Sequence, residues 1–209
     1  MREVIIASTG LANIASVTAA LRRLGAAPIV STSPSAVRAA DAVLLPGVGA
    51  LGPAMRQLTA PDASGDTLAA ALRERVDQGR RTLAICLGLQ LLCRSSAEAP
   101  GVSALGCFAA DVLRLDSAPS LPHFGWNAVA PAPDARRIPP GHAYFAHSYG
   151  LLSAPPDCEV AWTEHGARFV SAVRRGDVLA CQFHPELSGA YGAALISDWL
   201  GAARVSVPC

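Results

Sequence analysis

Three short runs are apolar at nearly every position: Val4-Ile5-Ile6-Ala7, Ala42-Val43-Leu44-Leu45 and, after Thr82, Leu83-Ala84-Ile85. A strand covered on one face alternates apolar with polar residues. Runs without alternation need cover on both faces, which a parallel sheet between helices provides. The segments between them agree. Residues 13–24 place Ile14, Val17, Leu21 and Leu24 at helical spacing before Gly25, and residues 67–78 read as a helix stopped by Gly79. Pro28 to Ser31 reads as a further short strand. The pattern predicts an α/β fold with an open, mostly parallel sheet flanked by helices. Beyond about Gly106 turn signals multiply and helices thin out, which predicts a small antiparallel annex, with 131–140 as a Pro-rich surface loop. At 209 residues, 51% hydrophobic and without internal repeats, residues 1–209 are expected to form a single domain.

Charge and cysteine usage narrow the function classes. The net charge is +1 with no block of like charges, so neither a nucleic-acid footprint nor a polybasic membrane patch is expected. All 17 basic residues are arginine, which removes P-loop and Schiff-base lysine chemistry. The N-terminal apolar run is too short for a signal peptide, and no run reaches transmembrane length. Six cysteines (86, 93, 107, 158, 181, 209) show no CxxC pair, so reduced thiols in a cytoplasmic enzyme are expected, without a zinc site, disulfide framework or cofactor.

One thiol stands apart. In Thr82-Leu83-Ala84-Ile85-Cys86-Leu87-Gly88-Leu89-Gln90 a buried strand runs into a helix, expected from Leu87 to about Arg94, with Cys86 at the bend. Ligands of an open parallel sheet bind outside the carboxyl ends of its strands, and a helix N-terminus favours the thiolate. Ala84 and Gly88 supply the small neighbours that a sharp nucleophile turn requires. Without such a context a cysteine is a small buried hydrophobe, which is the reading for Cys93, Cys107 and Cys181.

A second segment, Gln182-Phe183-His184-Pro185-Glu186, follows the apolar run from Val178. Pro185 disfavours a helical His184, so His-Pro-Glu is expected to be extended, with His184 and Glu186 on one face. A carboxylate there fixes the tautomer of the imidazole and stabilises its cation. Cys86, His184 and Glu186 thus supply a nucleophile, a base and the group that orients the base. Pro46-Gly47-Val48-Gly49 ends a third strand and permits unusual backbone angles. It is either an ordinary strand-to-helix turn or a loop that offers a peptide N–H to an oxyanion beside that of Leu87.

These segments resemble the triad (class I) glutamine amidotransferases, whose fold is flavodoxin-like. Pro122-His123-Phe124-Gly125-Trp126-Asn127, Tyr144-Phe145-Ala146-His147-Ser148-Tyr149 and Gln182 to Glu186 with Ser188-Gly189 narrow the resemblance to the glutaminase subunits of imidazole glycerol phosphate synthase. The match spans Ile5 to Trp199. It implies that Cys86 attacks the side-chain amide of L-glutamine, that His184 serves as acid and base, and that Glu186 orients it. Gly47, Val48, Gly49 and Leu87 would form the oxyanion hole, and Gln90, His147, Ser148 and Tyr149 would hold glutamine. Ammonia would pass to a (β/α)₈-barrel cyclase subunit in a heterodimer, with Asn13, Trp126 and Tyr144 near that partner.

Three positions depart from the family pattern. Ala84 stands where a glycine is usual two residues before the nucleophile. Ser8-Thr9-Gly10-Leu11-Ala12-Asn13 keeps only Gly10 and Asn13 of the usual Asp-Tyr-Gly-x-Gly-Asn. Leu187 replaces the lysine that in the family faces the cyclase. Leu187 keeps open a paralogue that supplies a different synthase in sugar or secondary metabolism. A non-catalytic binding partner with the same fold is the third reading, and the intact Cys86, His184 and Glu186 argue against it.

Overall fold

The computed structural model describes residues 2–8 and 14–201. Its first half alternates strands and helices: β1 (Arg2–Ala7), α1 (Ile14–Arg23), β2 (Ala26–Ser31), α2 (Pro34–Ala39), β3 (Val43–Leu45), α3 (Leu51–Thr59), α4 (Leu68–Asp77), β4 (Thr82–Ile85) and α5 (Leu87–Leu91). The second half is β5 (Ser95–Ser96), β6 (Asp111–Arg114), β7 (His123–Pro131), β8 (Gly141–His147), β9 (Tyr149–Leu151), β10 (Glu159–His165), β11 (Ala167–Arg175) and β12 (Val178–Cys181). A 3-10 turn (Pro185–Leu187) and α6 (Gly189–Leu200) follow.

The main sheet runs β2-β1-β3-β4-β12-β11-β10-β7-β8. Its first five strands are parallel and the rest antiparallel, so the expected annex continues the same sheet. The non-alternating runs are apolar because both faces are covered. Ile5, Ala7, Val43, Leu45 and Ala84 pack toward α2, α3 and α4, while Val4, Ile6, Leu44, Leu83 and Ile85 pack toward α1 and α6. Truncating one of these leucines to alanine costs about 2–5 kcal/mol.

Local differences from expectation have local causes. The six-residue α2 is too short to show periodicity; Ser33 caps it by accepting from the Ala36 N–H, and Pro34 occupies its first turn. Neither α3 nor α6 was anticipated, although α3 buries Leu51, Ala54, Met55 and Leu58 at helical spacing. The helix after Cys86 stops at Leu91 instead of near Arg94. The chain there joins the sheet: the Arg94 N–H donates to the Ala110 carbonyl at 2.9 Å, and Ser95-Ser96 pair with Asp111-Val112.

Candidate active site

Strand β4 lies between β3 and β12, all three parallel, so their carboxyl ends open on one edge. The loop 46–49 leaves β3, Cys86 leaves β4, and Gln182-Phe183-His184 leaves β12. The register Ile85↔Cys181 sets Cys86 beside Gln182. At φ 54 and ψ −110, Cys86 has a backbone conformation rare for a non-glycine residue. It is held by its N–H donating to the Cys181 carbonyl at 2.7 Å and by its own carbonyl accepting from the Leu89 N–H at 3.0 Å. The next turn passes so close to β3 that a Cβ on Gly88 would lie 2.3 Å from the Leu45 carbonyl oxygen. The Ala84 methyl would meet that Cβ at an ordinary 3.5 Å, so the elbow accommodates alanine at that position.

His184 is extended, but Pro185 starts a single 3-10 turn, so Glu186 is not in extended backbone as expected. Proline is at home in a first helical turn, where its missing N–H has no partner to lose. The turn still brings the carboxylate back, with His184 Nδ1 2.9 Å from Glu186 Oε1 and both side chains buried. Nε2 is thereby left for Cys86. Burial pulls the His184 pKa down, but the Cys86 sulfur and the Glu186 carboxylate outweigh it and raise the pKa to about 10. Ser188 braces the segment: its Oγ donates to the His184 carbonyl at 2.6 Å and accepts from the Tyr144 N–H at 3.0 Å. Burial pushes the Cys93 and Cys181 thiols up, keeping them protonated.

A cleft of about 360 Å³ opens over Cys86 and His184. Val48, Gly49, Leu87 and Gln90 line one part of it, and His147, Ser148 and Tyr149 another, so the structure brings these expected residues together. Gly47 packs behind the cleft, where a Cβ would approach the Gly88 nitrogen to 2.5 Å. The Leu87 N–H donates to the Gly47 carbonyl at 3.3 Å, so one expected oxyanion donor is occupied from within the loop. Gln90 gives its amide hydrogens to the Tyr149 carbonyl and to Gln182 Oε1.

Several lining residues were missed by sequence reasoning. Glu98, Pro122 and Phe124 face the cleft, and Glu98 Oε2 accepts from the Leu51 N–H at 2.8 Å. Gln182 is fully buried, with its amide nitrogen 3.7 Å from the Cys86 sulfur. No local signal marks Glu98, and Gln182 read only as part of the strand leading into His184, whereas the structure ends that strand at Cys181. Trp126 (59% exposed) lies edge-on to Tyr144, ring centroids 6.3 Å apart, and Phe124 and Leu187 are exposed as well. Asn13 lies outside the described residues.

Known proteins share both sequence and fold. The family glutamine amidotransferase class-I matches residues 9–201. The imidazole glycerol phosphate synthase subunit HisH of Symbiobacterium thermophilum is 39% identical over 203 residues, covering 95% of this chain and 93% of that protein. The protein of that name from Cutibacterium acnes is 43% identical over 195 residues, covering 91% and 92%. Among solved structures, a glutamine amidotransferase superposes with a TM-score of 0.72 at 20% identity, covering 96% of this chain and 98% of that one. A glutamine amidotransferase of Thermotoga maritima gives 0.59 at 16% identity, covering 95% and 81%. The chain belongs to the class-I glutamine amidotransferase family, among relatives named HisH.

Proposed function

We propose that this chain is the glutaminase subunit of imidazole glycerol phosphate synthase, acting in the cytoplasm, and that residues 1–209 form one amidotransferase domain. The observation that carries the catalytic reading is the convergence of Cys86 and the His184–Glu186 pair at the ends of adjacent parallel strands. The Cys86 thiolate attacks the side-chain carbonyl carbon of glutamine, and the developing oxyanion is held by backbone N–H groups of Leu87 and the 47–49 loop. His184, protonated and steadied by Glu186, gives its proton to the leaving nitrogen, which departs as ammonia. The resulting thioester is hydrolysed by a water that returns a proton to His184, releasing glutamate. Glu98 is the carboxylate in the cleft suited to the α-ammonium of glutamine, and Gln90, His147, Ser148 and Tyr149 shape the rest.

The ammonia goes to a (β/α)₈-barrel cyclase, for which the exposed Phe124, Trp126 and Leu187 with the half-buried Tyr144 supply an apolar, aromatic contact surface. Because the Leu87 N–H is engaged by Gly47, the isolated chain hydrolyses glutamine slowly. Adding the cyclase loaded with its phosphorylated substrate is expected to raise glutamate production by ~10²–10³-fold, the worth of one oxyanion donor. Full activity of the chain alone overturns this step.

The exposed Leu187 favours one second reading, a subunit that delivers ammonia to a different synthase. Reconstitution distinguishes the two. Activation by a histidine-pathway cyclase supports the first reading, and failure to bind that cyclase by an otherwise active glutaminase supports the second.

A further inference from the structure

Two buried glutamines stand between the nucleophile and a pair of buried histidines, and beyond the part of Gln90 and His147 in shaping the glutamine cleft none of the four has a role in the Cys–His–Glu chemistry. Gln182 follows the Ile85↔Cys181 pair directly, which sets its side chain beside Cys86, with Nε2 3.7 Å from Sγ. A primary amide fits its space either way round, but here its partners decide the orientation. The Tyr149 carbonyl only accepts, and it receives one Gln90 amide hydrogen at 3.1 Å. The same Gln90 nitrogen reaches Gln182 Oε1 at 3.2 Å. With its oxygen held there, Gln182 presents its NH₂ group to the sulfur. Reversed, it would set an oxygen against a thiolate and one NH₂ group against another.

The far end of the array is directed in the same sense. The Tyr149 carbonyl also accepts from His147 Nδ1 at 2.9 Å, so Nε2 of that ring is an acceptor. His123 Nδ1 therefore carries the proton across the 3.3 Å contact to His147, and His123 Nε2 accepts from Asn127 Nδ2 at 3.2 Å. This arrangement requires both rings to be neutral, and burial pulls His147 down to about 3 and His123 to about 4.

We propose that Gln182 is a further catalytic residue, donating a hydrogen bond to the Cys86 sulfur while it is anionic, and that Gln90 is its positioning residue, held by the Tyr149 carbonyl and the neutral His147–His123 pair. This rests on the glutaminase reading above. No additional bond is made or broken: the thiol proton still passes to His184, and Gln182 only lowers the energy of the charge left behind. A hydrogen bond to an ion strengthens as the charge develops, so its effect is greatest as the thiol gives its proton to His184 and as the sulfur departs from the thioester.

Gln182→Met fills similar space without a donor. In the full chain, iodoacetamide is expected to alkylate Cys86 about tenfold more slowly at neutral pH, read against a Cys86→Ala background. With the cyclase present, kcat for glutamine hydrolysis falls about tenfold while KM stays within about twofold. Circular dichroism melting checks the fold. If the methionine variant does not fold, Gln182→Glu, which keeps the shape but puts a carboxylate where the donor was, decides by the same readouts. A folded variant that keeps both the alkylation rate and kcat of the wild type overturns the proposal. A wild-type complex that hydrolyses no glutamine overturns the glutaminase reading and this inference together, a result distinct from an active wild type with unaffected variants.

Discussion

The two sides of the cleft differ in readiness. On the β12 side the proposed base is assembled: His184 holds Glu186 at 2.9 Å, both side chains are buried, and Ser188 ties the segment to β8. On the β3 side the Leu87 N–H is bound to the Gly47 carbonyl at 3.3 Å. A buried imidazole–carboxylate pair is costly to leave half-made, so it is built into the fold. A glycine-rich loop is cheap to rearrange, because Gly49 at φ 92 already lies where other residues seldom go. On the proposed reading, chemical competence and electrostatic stabilisation of the transition state thus lie on separate elements.

Removing the prepared side gives the largest expected effect. Cys86→Ala should abolish glutamine hydrolysis, by at least about 10⁴-fold in kcat, without unfolding the chain. Glu186→Gln keeps the shape but can donate to Nδ1 and select the wrong tautomer, so kcat should fall roughly 10³-fold. Activity of either variant near wild type would erase the distinction between the two sides. Gly88→Ala tests the junction between them: its methyl meets the Leu45 carbonyl, and a loss of about 2–4 kcal/mol in denaturant unfolding is expected.

Smaller effects sharpen the contrast. Trp126→Ala, at an exposed position, should weaken cyclase binding by about 2 kcal/mol in titration calorimetry and leave the melting temperature unchanged. The pH dependence of stability tests the histidines behind the cleft. His147 and His123 have folded pKa values near 3 and 4, below the 6.5 of an unfolded histidine. As the pH falls below 6.5 the unfolded chain binds protons first, so the contribution of these two histidines to stability is full above 6.5 and declines toward pH 4. The limiting slope is about 1.4 kcal/mol per pH unit for each histidine, and His147→Asn should flatten it.

What could be read from the chain divides along the same line. The parallel half was legible because strands covered on both faces must be apolar throughout, and the elbow because Cys86 and Gly88 have few other ways to share a sharp turn. The short α2 was not, since Ser33 capping sets its start, and α5 was legible from Leu87 on except for its end, which the sheet partner at Ala110 decides. Glu186 was assigned the right partner for a wrong local reason: a 3-10 turn, not strand alternation, returns its carboxylate to His184. Glu98 left no trace in the sequence because nothing near it in the chain bears on the cleft.

Residue order alone determined the α/β class through periodicity, the singular context of Cys86 through local sterics, and the nearness of an imidazole to a carboxylate two residues on through a short local turn. Only the tertiary structure decided that β12 returns beside β4, so that residues 86 and 182 become neighbours across 96 positions. It also decided that the Gly47 carbonyl occupies the Leu87 N–H. Such contacts follow from strand order and register, which are settled by how both faces of the sheet bury their side chains together.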